Sequence, residues 1–326
     1  MSRATLAFVL RRLVQVAPVV LAIAAMNFVL VKMAPGDAAD IIAGQVGHAS
    51  LEFMEDLRRE FGLDLPTVQQ FLVYMGRLLT FDLGMSFLQR VPVLDLILDR
   101  LPATVLLMAV SILLAVSLGV VSGVLAARWR GTWIDNAISV TALVVYAAPA
   151  FWIGLMLIVL FSIQLDLLPS GGMMRIGSGK TGLALALDVA WHLVLPSLTL
   201  ALFYLALYTR LMRASMLEVY SLDYITTARA KGLSENAVAW QHAARNAILP
   251  VATLAGVQIG HLLGGSILVE TVFAWPGLGR LVFDALLQRD LNLLLGILFI
   301  SSVGVVFANF AVDLLYGWLD PRIVHK

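Results

Sequence analysis

The residue types that bind phosphate, ligate metals or attack substrates are few in this chain, and their spacing excludes most of that chemistry. "RIGSGKTG", Arg175–Gly182, contains Gly179-Lys180-Thr181, the last three residues of a phosphate-binding loop. Such a loop needs G-x-x-x-x-G-K-[ST], because its backbone N–H groups cradle the phosphate. Met174 stands where the first glycine is required, and no buried strand precedes it. Nucleotide hydrolysis by this chain is not expected. His48, His192, His242, His261 and His325 show no i, i+4 pairing, which argues against a metal site held by this chain alone. Without cysteine there is no disulfide, thiolate nucleophile or cysteine metal cluster. A net charge of +1 gives no footprint for nucleic acid.

What remains is a polar interruption between nearly charge-free flanks: "DYITTARAKGLSENAVAWQHAARNAILP", Asp223–Pro250. Asp223 is placed to cap a short helix, and Gly232 to end it in a left-handed turn. Leu233 reads as a buried contact beyond that turn. Ser234 caps the next helix with Glu235 favouring its N-terminus, and Pro250 marks where that helix meets the following apolar stretch. Two uses compete: an amphipathic helix resting on anionic headgroups, or a lever gripped by another protein. The sharp stop and restart favours the lever.

The elements that must position this segment follow from composition. The 326 residues are 60% hydrophobic and 13% charged, with mean hydropathy +0.92. Soluble domains carry about 25% charge, so the solvent is lipid. Crossing a bilayer takes roughly 20 apolar residues. Six stretches qualify: Leu13–Val31, Leu101–Ala127, Ala137–Leu165, Val189–Thr209, Asn246–Val269 and Leu291–Val312. The expectation is an all-α polytopic membrane protein with six transmembrane helices. Ala22-Ile23-Ala24 imitates a signal-peptide cleavage site, but the apolar run continues to Val31 and five more follow, so the first stretch is read as a retained span.

Basic residues set the orientation. With both termini cytoplasmic, the inner segments hold Arg128, Arg130, Arg210, Arg213, Arg229, Lys231 and Arg245 in short loops. Asp223–Pro250 is then cytoplasmic. The expected organisation is an N-terminal segment with the first span (1–33), an external helical cap (34–100), and a five-helix core (101–326) carrying a cytoplasmic loop over 210–247. In the cap, Ser50 caps a helix with Leu51, Met54, Leu57 and Phe61 on one face and Gly62 as its stop. Pro66 opens a second helix, Thr67–Leu79, and Pro92 a third leading into span two. Gly119-x3-Gly123 and Gly256-x3-Gly260-x3-Gly264 predict close helix packing without naming the partner. Gln258, His261, Asn309 and Asp313 must face protein or water.

Here the residues reach a family. "TTARAKG" (Thr226–Gly232) followed by "HAARNAILP" (His242–Pro250) resembles the coupling-loop signature of ABC importer permeases, in particular the dipeptide/oligopeptide/nickel family. Thr226-Thr227-Ala228 stands where many importers have Glu-Ala-Ala. Further matches run in the family's order: "APGDA" (Ala34–Ala38), "FGLDLP" (Phe61–Pro66), "FDLGMSF" (Phe81–Phe87), "PVLDLILDRLPAT" (Pro92–Thr104), "VETVFAWPGLGRL" (Val269–Leu281) and "LDPRI" (Leu319–Ile323).

The resemblance implies a type I ABC importer transmembrane domain in the cell inner membrane. A second permease would complete the pathway, an external binding protein would deliver substrate, and two ATPase chains would carry ATP and Mg. The coupling loop would be Asp223, Thr226, Thr227, Ala228, Arg229, Lys231, Gly232 and Leu233, with Thr226 to Arg229 lining the docking face. Trp275, Pro276, Gly277 and Gly279 would form an external gate-side loop; the residues alone also permit an interfacial aromatic anchor beside a Pro-Gly turn. An ion-driven secondary transporter would call for mid-membrane carboxylates or an inverted repeat, and no carboxylate lies mid-span. A non-transporting scaffold would not need the loop.

Overall fold

The computed structural model describes residues 3–33, 50–60, 62–86 and 88–319. Within its helices, the side chains of 3–13, 15, 31, 51, 57, 60, 257, 259–265 and 311–319 lie outside the description. Ala34–Ala38, the C-terminal tail beyond Leu319, and the surroundings of Gly260, Gly264, His261 and Asp313 therefore fall outside it too.

The regular structure among the described residues is helical, with one isolated bridge between Met85 and Pro92. In chain order the helices are α1 (Arg3–Met33), α2 (Leu51–Glu60), α3 (Thr67–Leu79), α4 (Val93–Arg128), α5 (Trp133–Ala147) and α6 (Ala150–Leu157). There follow α7 (Gly182–Val219), α8 (Asp223–Ala230), α9 (Ala244–Val272), α10 (Leu278–Leu287) and α11 (Leu291–Leu319). Each of the six apolar stretches lies in one of these helices or in a bent pair. A hydrogen-bonded helix is what such a stretch must form, since lipid offers no partner to backbone polar groups.

The third stretch departs from a single straight span. α5 and the helix from Ala150 to Gln164, whose second half is a π-helix, meet at 105°. Proline lacks an N–H and drives its predecessor out of helical geometry. Ala148 (φ −82°, ψ 138°) and Pro149 (φ −60°, ψ 134°) are both extended.

The chain divides into two units. The first comprises Met1–Leu101 with Leu281–Lys326. The described parts of the expected external cap thus group with the first and last helices. Ser50 Oγ accepts the Phe53 amide at 3.2 Å and opens α2; Gly62 (φ +65°) closes it, with the Leu63 amide donating to the Arg58 carbonyl at 2.7 Å. α3 packs on α1 through the rings of Phe71 and Tyr74, 5.3 and 5.8 Å from that of Phe28. Asn292 Nδ2 donates to the carbonyls of Met85 (2.6 Å) and Leu83 (3.2 Å), and the Ser86 hydroxyl donates to buried Asp290.

The second unit, Pro102–Arg280, has two apolar cores at opposite ends of the same long helices. One gathers Ala103 and Leu107 of α4, Leu195 and Leu200 of α7, and Val269, Phe273 and Trp275. The other gathers Val124 and Ala127 of α4, Tyr208, Met212 and Met216 of α7, Ile225 and Ala228 of α8, and Ala247 and Val251 of α9. α4 and α7 therefore run the same way and α9 returns. The outermost α4 members of the two cores, Ala103 and Ala127, are 24 residues apart, roughly 36 Å at 1.5 Å per residue, enough to cross a bilayer core.

The partner of the first glycine pair is α7. A Cβ on Gly119 would stand 2.5 Å from Tyr208 Cβ, and one on Gly123 would stand 2.5 Å from Met212 Cβ and 2.8 Å from the Thr209 carbonyl oxygen. No rotamer relieves a clash with Cβ and backbone. Gly123→Val is expected to cost about 1–3 kcal/mol through overpacking. Gly76→Ala, with open space at its Cβ position, is the matched control. Thermal unfolding of the purified chain in one detergent compares them, and equal midpoints would refute the tight crossing.

Candidate functional site

The polar interruption folds as a short helix laid on an apolar bundle end. α8 begins at Asp223, and the residue at its cap position is Leu222, which supplies no side-chain bond. Asp223 thus stands in the first turn instead of capping it; there its charge still faces the positive helix end. Ile225 and Ala228, one turn apart, are buried, while Thr226, Thr227, Arg229 and Lys231 are exposed.

This corrects the expected docking face in one respect. Ala228 points into the core, so it seats the helix and leaves the outer surface to Thr226, Thr227 and Lys231 with Arg229 at its edge. Fully burying a side chain such as Ile225 contributes about 1.5–3 kcal/mol, and this is what holds a polar helix in place.

The stop is the expected one. Gly232 has φ +80°, its amide donates to the Arg229 carbonyl (2.9 Å), and the Leu233 amide reaches the Ala228 carbonyl (3.4 Å). That pair of bonds closes a helix on a left-handed residue, a conformation that a β-branched side chain strains. Leu233 itself is 39% exposed, contrary to the buried contact expected of it. The turn is fixed by backbone bonds and has no need of an apolar plug.

Ser234 caps the restart, its Oγ accepting from the Ala237 amide at 3.3 Å. The chain then runs from Glu235–Ala237 through a π-helix, Val238–Ala243, into α9. Pro250 lies inside α9 and not at its start. Ala247 and Val251 beside it are buried and hold the helix across the missing amide.

Side-chain bonds then fasten the segment to its neighbours. Arg229 folds back on Glu235 with Nε–Oε1 at 2.9 Å and Nη2–Oε2 at 3.3 Å, its guanidinium 5.5 Å from the Tyr220 ring centroid. Asn246 donates to the Tyr224 hydroxyl at 2.7 Å, joining α8 to the start of α9. Arg128 at the end of α4 donates to Asn236. Arg213 of α7 grips buried Asp135 of α5 through two bonds of 2.7 and 2.9 Å. Between α5, α7 and α9 lies a mostly apolar cleft of about 790 Å³, lined among others by Leu143, Tyr146, Leu207, Arg210 and Leu254.

The segment around Trp275 sits at the other core. Trp275 is wholly buried, and its Nε1–H donates to the Ala103 carbonyl at 2.9 Å, so it is no interfacial anchor. Beside it, buried Glu270 accepts from Thr104 Oγ1 (2.9 Å) and the Arg280 amide (3.0 Å), with Ser266 and the Gly279 amide as further donors. Thr104 Oγ1 in turn accepts from the Leu278 amide at 2.7 Å. Both glycines are there for room: a Cβ on Gly277 would meet Glu270 Oε2 and Thr104 Oγ1 at 2.4 Å, and one on Gly279 would meet Ile267 Cα at 2.7 Å.

Lys180 of the phosphate-loop look-alike is an anchor. Its Nζ bonds buried Asp188 at 2.6 Å, and the second oxygen of Asp188 takes the Arg175 amide at 2.7 Å. Sequence reasoning missed Glu270, Asp188, Asp135 and Asp290 as buried groups. The available signal was their place: each stands one or two residues outside an apolar stretch.

Comparison with known proteins gives the family. The profile for "Binding-protein-dependent transport system inner membrane component" matches residues 119–325, and that for the N-terminal part of such components matches residues 5–108. The dipeptide transport system permease protein DppB of Escherichia coli K12 is 41% identical over 338 residues, covering 98% of this chain and 99% of its own. The oligopeptide transport system permease protein AppB of Bacillus subtilis is 40% identical over 320 residues, covering 97% and 99%. A crystal structure of an amino acid ABC transporter with histidines aligns at TM-score 0.49 and 17% identity over 68% of this chain and 92% of its own, a likeness too slight to carry weight.

The Glu270 node makes its own prediction. Gly277→Ala forces a methyl group between Glu270 and Thr104 and is expected to lower the thermal midpoint by at least as much as Thr104→Val, which removes only the hydroxyl. A Gly277→Ala protein melting like the unaltered chain would show that the loop does not close on Glu270 as described.

Proposed function

The chain belongs to the family of inner membrane components of binding-protein-dependent transport systems, and from that premise we propose that it is one permease subunit of an ATP-driven importer of peptides or related small solutes. It spans the membrane several times and forms the pathway with a second, homologous permease. Catalysis lies elsewhere: ATP and Mg are held by two ATPase chains on the cytoplasmic side, and a binding protein delivers substrate from outside. Both termini face the cytoplasm, as the basic short loops favour. The peptide class is supported by the names of the two relatives, which cover nearly the whole chain.

The observation that carries the coupling role is the seating of α8. Ile225 and Ala228 share one core with the ends of α4, α7 and α9, and no flexible linker separates α8 from the helices it connects. A partner that displaces α8 must tilt α7 and α9 with it. Closure of the ATPase pair would thus reach the membrane as rigid-body motion between packed states. Thr226, Thr227 and Lys231 offer the exposed contact surface, Arg229 braces it on Glu235, and Gly232 sets its exit. On this reading the loop built on Trp275, Pro276, Gly277 and Gly279 is an external, gate-side structural element.

The founding test is recovery of the tagged chain from native membrane in mild detergent, with its partners identified by mass. A second six-span permease and one or two ATPase chains are expected; the chain alone after gentle crosslinking would return α8 to an interfacial helix. Given that assembly, Ala228→Trp lifts α8 off its seat and Gly232→Val strains its exit. Each should lower uptake by at least about tenfold, since about 1.4 kcal/mol of misplacement already amounts to a factor of ten. Membrane levels should be unchanged, and normal uptake by both variants would sink the lever.

A further inference from the structure

The first unit holds a second cleft that the transport reading does not use. It has a volume of about 360 Å³ and is lined by Lys32, Arg59 and Arg77 together with Gln70, Tyr74 and Asn292. Lys32 is in the last turn of α1, the first membrane span, and so stands at a membrane surface. Arg59 leans loosely toward Glu55 (3.9 Å) and Asp56 (3.7 Å) on its own helix. Neither Lys32 nor Arg77 meets a carboxylate among the described residues. Three cations around a concavity, two of them without a carboxylate partner among the described residues, repel one another unless an anion joins them.

The helix that forms the wall of this cleft has three faces. Phe71, Tyr74 and Leu78 of α3 turn toward α1 or the interior. Gln70, Val73 and Arg77 line the cleft. Val68, Leu72 and Leu79 form a third stripe at helical spacing, and all are exposed, Leu79 to 79%. That stripe lies on the side of α3 away from the cleft and offers a contact to lipid, and the cleft carries apolar lining of its own, Phe28, Leu63, Leu65 and Val73, beside the three cations. A free anion would match the cations and leave the apolar lining unexplained; a phospholipid matches both, with its phosphate at the cations and the start of its chains against Phe28, Leu63, Leu65 and Val73. Small-molecule sites run from about 300 to 1,000 Å³, so the cleft is large enough for a glycerophosphate group.

We infer that this cleft, at the membrane surface where α1 ends, is a binding site for an anionic phospholipid, held by Lys32, Arg59 and Arg77 and by the cleft's apolar lining. The site pins α3 to the membrane surface beside α1. It depends on α1 spanning the membrane and not on the coupling role of α8, so its failure would leave the uptake phenotypes of Ala228→Trp and Gly232→Val as they are.

The test uses the assembled transporter in nanodiscs containing phosphatidylglycerol and phosphatidylethanolamine, with retained lipid read by native mass spectrometry after extraction. Preferential retention of phosphatidylglycerol is expected, falling about thirtyfold in the Lys32→Gln/Arg77→Gln double variant, as the loss of two surface cations implies. Equal retention of the two lipids by the unaltered complex would overturn the proposal, and that arm requires no variant to fold. Unchanged selectivity in the double variant would overturn it too. So would displacement of phosphatidylglycerol by an equal concentration of inorganic phosphate, which would mark a free-anion site.

Discussion

Burial of Ile225 and Ala228 against the ends of three long helices is the contact on which this end of the helical bundle depends. An eight-residue helix has no stability of its own in water, because nucleation costs more than so few hydrogen bonds return. α8 persists because two apolar side chains dock it, a glycine ends it, and a serine starts the next turn. These fastenings are short-range, and they convert a surface segment into a rigid part of the bundle. On the proposed reading, that rigidity is what carries the motion of a docked partner into the long helices.

The same logic recurs with polar groups. Asp135, Asp188, Glu270 and Asp290 are all buried, and each accepts hydrogen bonds from a loop or a neighbouring helix. Burying a carboxylate without partners is costly, so each fixes the geometry of what surrounds it. Asp188 holds the Arg175–Lys180 loop, Glu270 closes the turn after Trp275, Asp290 receives Ser86, and Asp135 receives Arg213. Helices that cross lipid need little help to form; the connections between them are what these carboxylates organise.

Much of this was legible in the residues. Apolar runs of bilayer length place the long helices, because lipid leaves the backbone no other arrangement. Gly62, Gly232, Ser50, Ser234 and Pro66 act where they stand in the chain, since caps and turns are local. The 105° bend at Pro149 was harder, because a proline in an apolar run is compatible with a kinked span as well as a broken one. Ala228 and Leu233 exchanged their expected environments for a related reason: at the end of an eight-residue helix, the buried side depends on what lies beneath, and the pattern of the helix itself is too short to tell.

The sequence by itself determined the solvent, the long helices, the short helix between Asp223 and Gly232, and the family to which that segment points. These follow from composition and from interactions spanning a few residues. Only the tertiary structure decided that Arg229 braces Glu235, that Trp275 is buried on Ala103, that Glu270 and Thr104 share a node, and that Gly123 faces Met212. Each such pairing joins residues whose chemistry permits several partners, and the choice among them is made by how the helices pack.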